Sequence, residues 1–165
     1  MTSLKYAHVE RERRWLLMRV PELPHDPRTW HIVDRYLRGT RLRLREVSEP
    51  DGTVVRKLGQ KVRLGDDTRE VAHTSLYLDE AEWAMLAALP ADVLTKTRTF
   101  VALGTASIAF DAFEGPLAGL VLAEVDSGDG EAVDLPAEYG PFDEVTDDEA
   151  FTGAALAEEA RRHVS

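Results

Sequence analysis

Polar and apolar positions alternate in short stretches along most of the chain. That period of two predicts β-strands, because neighbouring side chains on a strand point to opposite faces. The first stretch is Val9 to Trp15, with Glu10, Glu12 and Arg14 on one face and Arg11, Arg13 and Trp15 on the other. A helix would scatter the first three around its circumference. Arg35 to Val47 reads as extended, with Arg41, Arg43 and Arg45 sharing a face and Leu42 and Leu44 turned elsewhere. Thr53 to Leu64 follows, with Lys57 and Lys61 on one side. Arg69 to Leu78 is a further strand, in which Val71, Leu76 and Leu78 are the expected core contacts. Val93 to Leu103 places Lys96 and Arg98 together, and Ser107 to Phe113 places Asp111 with Ala109 and Phe113. Leu120 to Asp126 sets Val121, Ala123 and Val125 against Leu122, Glu124 and Asp126.

Turn chemistry punctuates these runs. Pro21, Pro24 and Pro27 interrupt regular structure after the first strand, and a short helical or irregular piece is expected over Arg28 to Val33. Glu49-Pro50-Asp51-Gly52 suits a hairpin, and Gly65-Asp66-Asp67, Gly104 and Glu114-Gly115-Pro116 mark further turns. Two segments have a helical period. Asp79 to Leu89 has a capping acid, acids in its first turn and Pro90 behind it, with Trp83, Leu86 and Ala87 or Leu89 as its apolar stripe. A last helix is expected from the capping-box pattern Thr146-Asp147-Asp148-Glu149 towards Arg162, weakened by Gly153. The sum is an α+β chain, mainly β, of short antiparallel strands with flanking helices. No internal repeat or linker divides it, so residues 1–165 are expected to form one domain.

Composition narrows the chemistry. At 30% charged and 44% apolar residues the chain is globular rather than disordered. It has no cysteine, which excludes thiolate catalysis, disulfides and cysteine zinc sites. The five histidines show no ligand spacing, no P-loop pattern occurs and no serine has a triad partner nearby in sequence. A formal net charge of -10 argues against nucleic acid and anionic membranes as partners. The polar opening carries no signal-peptide pattern, and the longest apolar run, near Leu117 to Val125, is too short to span a bilayer, so cytoplasmic residence is expected. The charge is uneven, however. Arginines crowd Arg35 to Arg45, while the segment after Glu124 is mostly acidic.

The charged strand positions nearly balance: Glu10, Glu12, Glu70, Asp111, Glu124 and Asp126 against Arg14, Arg43, Arg45, Lys61, Lys96 and Arg98. Two arrangements account for strands with one charged and one apolar face. The charged face can be wet, or the sheet can close so that it lines a polar lumen. A lumen mixing carboxylates with arginine and lysine suits a polyanion plus divalent cations: carboxylates hold Mg²⁺ or Mn²⁺, and the bases neutralise phosphate oxygens.

Taken in order, these residues resemble a known family. Glu10-Arg11-Glu12-Arg13-Arg14 is similar to the Glu-x-Glu-x-Lys signature of the triphosphate tunnel metalloenzymes, the CYTH superfamily. Arg35-Tyr36-Leu37 with Leu42-Arg43-Leu44-Arg45 resembles its Gly-Tyr-Leu and Arg-x-Arg strand, and Gln60-Lys61 its central lysine. Lys96-Thr97-Arg98, Phe110-Asp111-Ala112-Phe113, Gly119-Leu120 through Glu124-Val125-Asp126, and Glu144-Val145-Thr146 resemble its later motifs. The resemblance implies an antiparallel, eight-stranded closed barrel forming an open-ended tunnel for a linear triphosphate. It implies Glu10, Glu12, Glu124 and Asp126 as ligands of Mg²⁺ or Mn²⁺. It also implies Glu10, Glu12, Arg14 and Asp111 as catalytic-site residues, and Arg43, Arg45, Lys61, Lys96 and Arg98 as phosphate contacts. Two departures stand out. Arg14 replaces a lysine, and the chain reads Arg69-Glu70-Val71-Ala72-His73 where the family tends to Arg-x-Glu-x-Glu.

The expected activity is metal-dependent hydrolysis of a small triphosphate, with inorganic tripolyphosphate first. The alternatives are an adenylate cyclase of the same fold, for which no purine pocket is evident, and a module that binds polyphosphate without turnover. The sequence leaves room for a homodimer.

Overall fold

The computed structural model describes residues 5–66 and 69–164. Nine strands and two helices follow one another: β1 (His8–Leu17), β2 (Arg28–Leu37), β3 (Leu42–Ser48), β4 (Val54–Arg63), β5 (Glu70–Tyr77), α1 (Glu80–Ala87), β6 (Ala91–Leu103), β7 (Ala106–Phe113), β8 (Val121–Asp126), β9 (Phe142–Glu144) and α2 (Gly153–Arg162). The sheet order is β5-β4-β3-β2-β6-β7-β8-β1-β9, and a further β5–β1 pairing closes eight antiparallel strands into a barrel. The closing strand divides one of its edges. His8 to Arg11 pair with β5, while Trp15 to Leu17 pair with β9. Its other edge pairs with β8 from Glu12 to Leu17.

Registers then assign the faces, because residues directly opposite across a ladder share a side. Arg14 lies opposite Glu124, Arg98 opposite Asp111, Asp34 opposite Arg45, and Lys61 opposite His73. All of these point into the lumen. The charged faces are therefore inside, and the wet-sheet alternative does not hold. Apolar residues on the outward face of β1, β7 and β8 (Trp15, Leu17, Ile108, Phe110, Val121, Ala123, Val125) form a second core, covered by Leu135 and Tyr139 of the segment that follows β8.

α2 lies across one end of the barrel. Its Leu156 and Ala157 pack with Val145 on Leu94, Phe113 and Leu122, so the expected open-ended tunnel is sealed there. Gly153 opens this helix for a spatial reason. A Cβ at that position would collide with the Tyr36 hydroxyl and stand 2.9 Å from Tyr36 Cζ. Gly153→Ala should therefore lower stability by about 1–2 kcal/mol, overpacking exceeding the gain in helix propensity. Thermal unfolding of the variant checks it, and a midpoint equal to or above the parent's would contradict it.

Four expectations need correction. Arg28 to Val33 is part of the ten-residue strand β2, whose Ile32 and Asp34 are both fully buried. A turn at residues 38–41 then separates β2 from β3 within the segment expected to be continuous. The last helix begins at Gly153, capped by Thr152, and not at Thr146. The hydroxyl of Thr146 instead accepts the Arg14 N–H at 3.0 Å and donates to Glu144 at 2.8 Å, which binds this segment to β1. Leu76, expected in the core, is 58% exposed. The stripe expected on α1 does hold, Trp83, Leu86 and Ala87 being its half-buried face, and Asp79 and Glu82 form the capping box at its start. The Gly65-Asp66-Asp67 turn extends outside the described residues.

Candidate functional site

A cavity of about 460 Å³ occupies the lumen beneath the N-terminal end of α2. Its wall draws Glu10, Glu12 and Arg14 from β1, Arg43 and Arg45 from β3, Lys61 and Arg63 from β4, Lys96 and Arg98 from β6, and Glu124 from β8. Arg41, Thr146 and the start of α2 form its rim. Period-two placement on separate strands brings these side chains together, since each strand contributes alternate residues to the inside.

The acids and bases are already paired. Lys61 Nζ lies 2.8 Å from Glu12 Oε1 and 2.7 Å from Glu10 Oε2. The second contact is close, but its angles do not make a hydrogen bond, and Glu10 Oε2 is buried without an aligned donor. Glu10 Oε1 stands 2.7 Å from His73 Nδ1. Burial by itself would raise the Glu10 carboxyl, but His73 and Lys61 outweigh it and bring it to about 2. Arg14 donates from Nε to Glu124 Oε1 at 3.0 Å and from Nη1 to the Phe151 carbonyl at 2.9 Å, so its planar fork ties β1 to β8 and to the segment before α2. A lysine has a single donor centre and cannot make both bonds in this way. Burial also opposes ionisation of Glu124, but Arg14 and Arg98 hold its carboxyl well below the usual range.

A second tier supports the first. Asp111 is fully buried and accepts from Lys96 at 2.6 Å and from two nitrogens of Arg98 at 2.6 and 2.7 Å. It stands behind the cavity wall, where it orients two cations. Asp34, also fully buried, takes both oxygens to Arg45 at 2.6 and 2.7 Å, with Arg43 Nε 3.7 Å away. Burial would raise its carboxyl, and Arg45 holds it well below the ordinary value. Lys96 is shifted the other way, its ammonium lowered chiefly by burial despite Asp111.

Of the residues expected at the site, Glu10, Glu12, Arg14, Arg43, Arg45, Lys61, Lys96, Arg98 and Glu124 line the cavity, and Asp111 touches two of them. Asp126 is not brought there. It is exposed, and its Oδ1 accepts the backbone N–H groups of Arg11 and Gly128, each at 2.9 Å. Glu70 is outside as well, paired with Arg11 at 2.9 Å. On β5 the lumen position is His73, which sequence reasoning set aside with the other histidines. The signal was available in the hairpin. Folding the chain at the turn after Leu64 sets His73 opposite Lys61. Asp34 and Gly59 were also missed. Bare backbone at Gly59 leaves room for His73, whose Nε2 would be 3.2 Å from a Cβ there.

Mg²⁺ and Mn²⁺ require hard oxygen donors, and the wall supplies them in Glu10, Glu12 and Glu124. The buried Glu10 oxygen without an aligned donor suits a cation. The donors are not preassembled, for among the described residues no three acid or histidine side chains gather into a cation site. Counting the wall together with Asp34 and Asp111, eight bases face five acids, an excess of three positive charges inside a chain of net charge -10. Such a cavity concentrates anions.

Outside the cavity the same pairing logic sets the response to acid. Arg13 holds Glu144 through two hydrogen bonds of 3.0 and 2.8 Å and brings its carboxyl from 4.5 to about 2. Folded-state values below the unfolded ones mean that the stabilisation is complete above the ordinary carboxylate range. It is lost as pH falls through that range towards the folded values. For Glu10 and Glu144 that window runs from about 4.5 down to about 2. Urea midpoints should therefore fall across this interval, and Glu144→Gln should make the fall shallower. An equally steep profile in the variant would contradict the assignment.

No protein-family model and no curated protein sequence matches the chain. Among solved structures, that of the hypothetical protein NE1496 is 25% identical, with a TM-score of 0.56 over 90% of this chain and 97% of that one. A structure titled as the inorganic triphosphatase NE1496 is 24% identical, with a TM-score of 0.54 over 95% of each chain. A conserved hypothetical protein from Pyrococcus furiosus is 16% identical, with a TM-score of 0.51 over 79% of this chain and 83% of that one. The closed eight-stranded barrel of this chain agrees with these neighbours in fold, and its charged motifs face inward on successive strands.

Proposed function

We propose that the lumen binds a small linear triphosphate, inorganic tripolyphosphate foremost, and hydrolyses one of its phosphoanhydride bonds with Mg²⁺ or Mn²⁺ as cofactor, in the cytoplasm. The observation that carries this reading is the convergence of eight arginine and lysine side chains on one cavity of about 460 Å³ in an acidic chain. The neighbouring structure titled as an inorganic triphosphatase is in keeping with it.

Phosphoryl transfer asks little covalent chemistry of a protein and a great deal of positioning and charge neutralisation. Arg43 and Arg45 project from β3 and Lys96 and Arg98 from β6, the two strands that flank β2, and form a fixed cationic wall for successive phosphates. Asp34 and Asp111 hold that wall in place from behind, so little reorganisation is needed when substrate arrives. Phosphate oxygens compete for Lys61, Arg14 and Arg98, and drawing these bases towards phosphate releases Glu10, Glu12 and Glu124. Those three carboxylates would hold the divalent cation, which supplies charge neutralisation and a more acidic bound water. His73 and Lys61 keep the Glu10 carboxyl ionised, ready as a donor.

A binding-only module is the second reading, favoured by one observation: every lumen acid already has a basic partner. One assay separates the two. Tripolyphosphate, ATP and thiamine triphosphate are each incubated with Mg²⁺, Mn²⁺ or a chelator, and phosphate and cyclic AMP are measured. Metal-dependent phosphate from tripolyphosphate supports hydrolysis, and cyclic AMP from ATP would move the assignment to a cyclase. Calorimetric binding without either product would leave the module.

A further inference from the structure

His73 governs how the Glu10 carboxylate can meet a cation. The imidazole stands on β5, opposite Lys61 of β4, and is held on three sides. Nδ1 lies 2.7 Å from Glu10 Oε1, Nε2 lies 3.5 Å from Ser75 Oγ, and the bare backbone of Gly59 forms the third side. A Cβ at Gly59 would stand 3.2 Å from Nε2, so the ring fits its slot closely. Facing an ionised carboxylate, Nδ1 carries the N–H and donates, whether the ring is neutral or charged. Both side chains are only 17% exposed, which leaves the pair little freedom to turn. Oε1 is thereby committed. Oε2 is the oxygen left beside Lys61, buried and without an aligned donor. The neighbouring acids are occupied in a similar way. Glu12 gives Oε1 to Lys61, and Glu124 gives one oxygen to Arg14 and the other to Arg98.

We propose that His73 sets the choice of cation: by holding Oε1 it makes Glu10 a one-oxygen ligand, which favours a small octahedral ion, Mg²⁺ or Mn²⁺, over Ca²⁺. This rests on the reading of Glu10 as a ligand of the divalent cation. Ca²⁺ takes more oxygens at longer range, and commonly both oxygens of a glutamate. Mg²⁺ keeps several waters and needs little from each carboxylate, and Mn²⁺ shares its octahedral oxygen geometry. Turning both Glu10 oxygens onto a larger ion would break the 2.7 Å bond to His73. His73 is a positioning residue in this account, since it touches the ligand and not the ion. Partners of that kind fix the orientation of a ligand and tune the metal it accepts.

Calorimetric titration of the full chain with Mn²⁺ and with Ca²⁺ reads the ratio of the two affinities. Sulfate in the buffer stands for a phosphate group. The parent chain should prefer Mn²⁺. His73→Ala and His73→Leu carry no donor and should move the ratio towards Ca²⁺ by about tenfold or more. Leucine fills the slot that alanine leaves empty, so the pair separates loss of the donor from loss of packing. His73→Asn, whose amide can place an N–H where Nδ1 stands, should keep the ratio near the parental one. A purely structural role would move both affinities together, and asparagine would not restore the ratio. A parent that prefers Ca²⁺ overturns the proposal. So does a ratio unchanged in both donor-free variants, or one that asparagine fails to hold. In those cases Glu10 remains a ligand and the proposed hydrolysis stands. A parent that takes up neither ion overturns the ligand reading of Glu10 as well.

Discussion

Glu12→Gln should reduce metal-dependent phosphate release by about a hundredfold to a thousandfold, the usual cost of removing one preorganised charge from a transition state. Glu12 projects from the middle of β1 into the cavity, 2.8 Å from Lys61 Nζ and 3.9 Å from Arg14 Nη2. Glutamine preserves its length and an acceptor oxygen but removes the charge a cation needs. Folding should hardly register the change. Lys61 keeps Glu10 as an ion-pair partner, and Arg14 keeps Glu124. The measurement is turnover of tripolyphosphate at saturating Mg²⁺ or Mn²⁺, alongside the thermal midpoint. Parental turnover would remove the role assigned to Glu12. A collapse of the midpoint would show that the side chain serves the fold.

Asp111→Asn should do the opposite, costing stability first. Asp111 is fully enclosed and receives three short bonds from Lys96 and Arg98, themselves buried. Asparagine fits the space but turns an N–H group towards a cation and leaves two positive charges underpaid by one. Breaking a buried pair in this way costs about 3–5 kcal/mol. Glu124, 2.7 Å from Arg98 Nη2, offsets part of the loss, so the lower end is expected. Urea unfolding at neutral pH measures it, and a difference under about 1 kcal/mol would mean that the pair is dispensable. Anion binding should weaken as well, since Lys96 and Arg98 would lose their fixed direction.

Most of the barrel was legible because charge and period reinforce one another. Glu10, Glu12 and Arg14 cannot share a helix face, and Lys96 with Arg98 repeats the spacing on β6. The failures have a common cause in positions whose environment is set by another strand. Asp34 is an acid in the deepest layer, and only Arg45 on the next strand neutralises it there. His73 acquires meaning only through its contact with Glu10, 63 residues earlier. Thr146 has a good capping sequence, but β1 claims its hydroxyl. Leu76 alternates correctly, yet the outer surface it faces is left open. Local pattern says which residues alternate. It does not say what covers them.

The divided edge of β1 has a consequence for how the molecule comes into being. The strand that bears the first three site residues is also the ring's last link, joined to β5 on one flank and to β8, 115 residues away between Arg11 and Asp126, on the other. Contacts that distant form slowly, since a long loop must close before they return any energy. A chain still open at this seam has Arg43, Arg45, Lys96 and Arg98 on a curved sheet with Asp34, Asp111 and Glu124, but lacks Glu10, Glu12 and Arg14. Completing the ring and completing the anion site are therefore one event, and a polyanion that prefers the finished lumen would pull the last strand home.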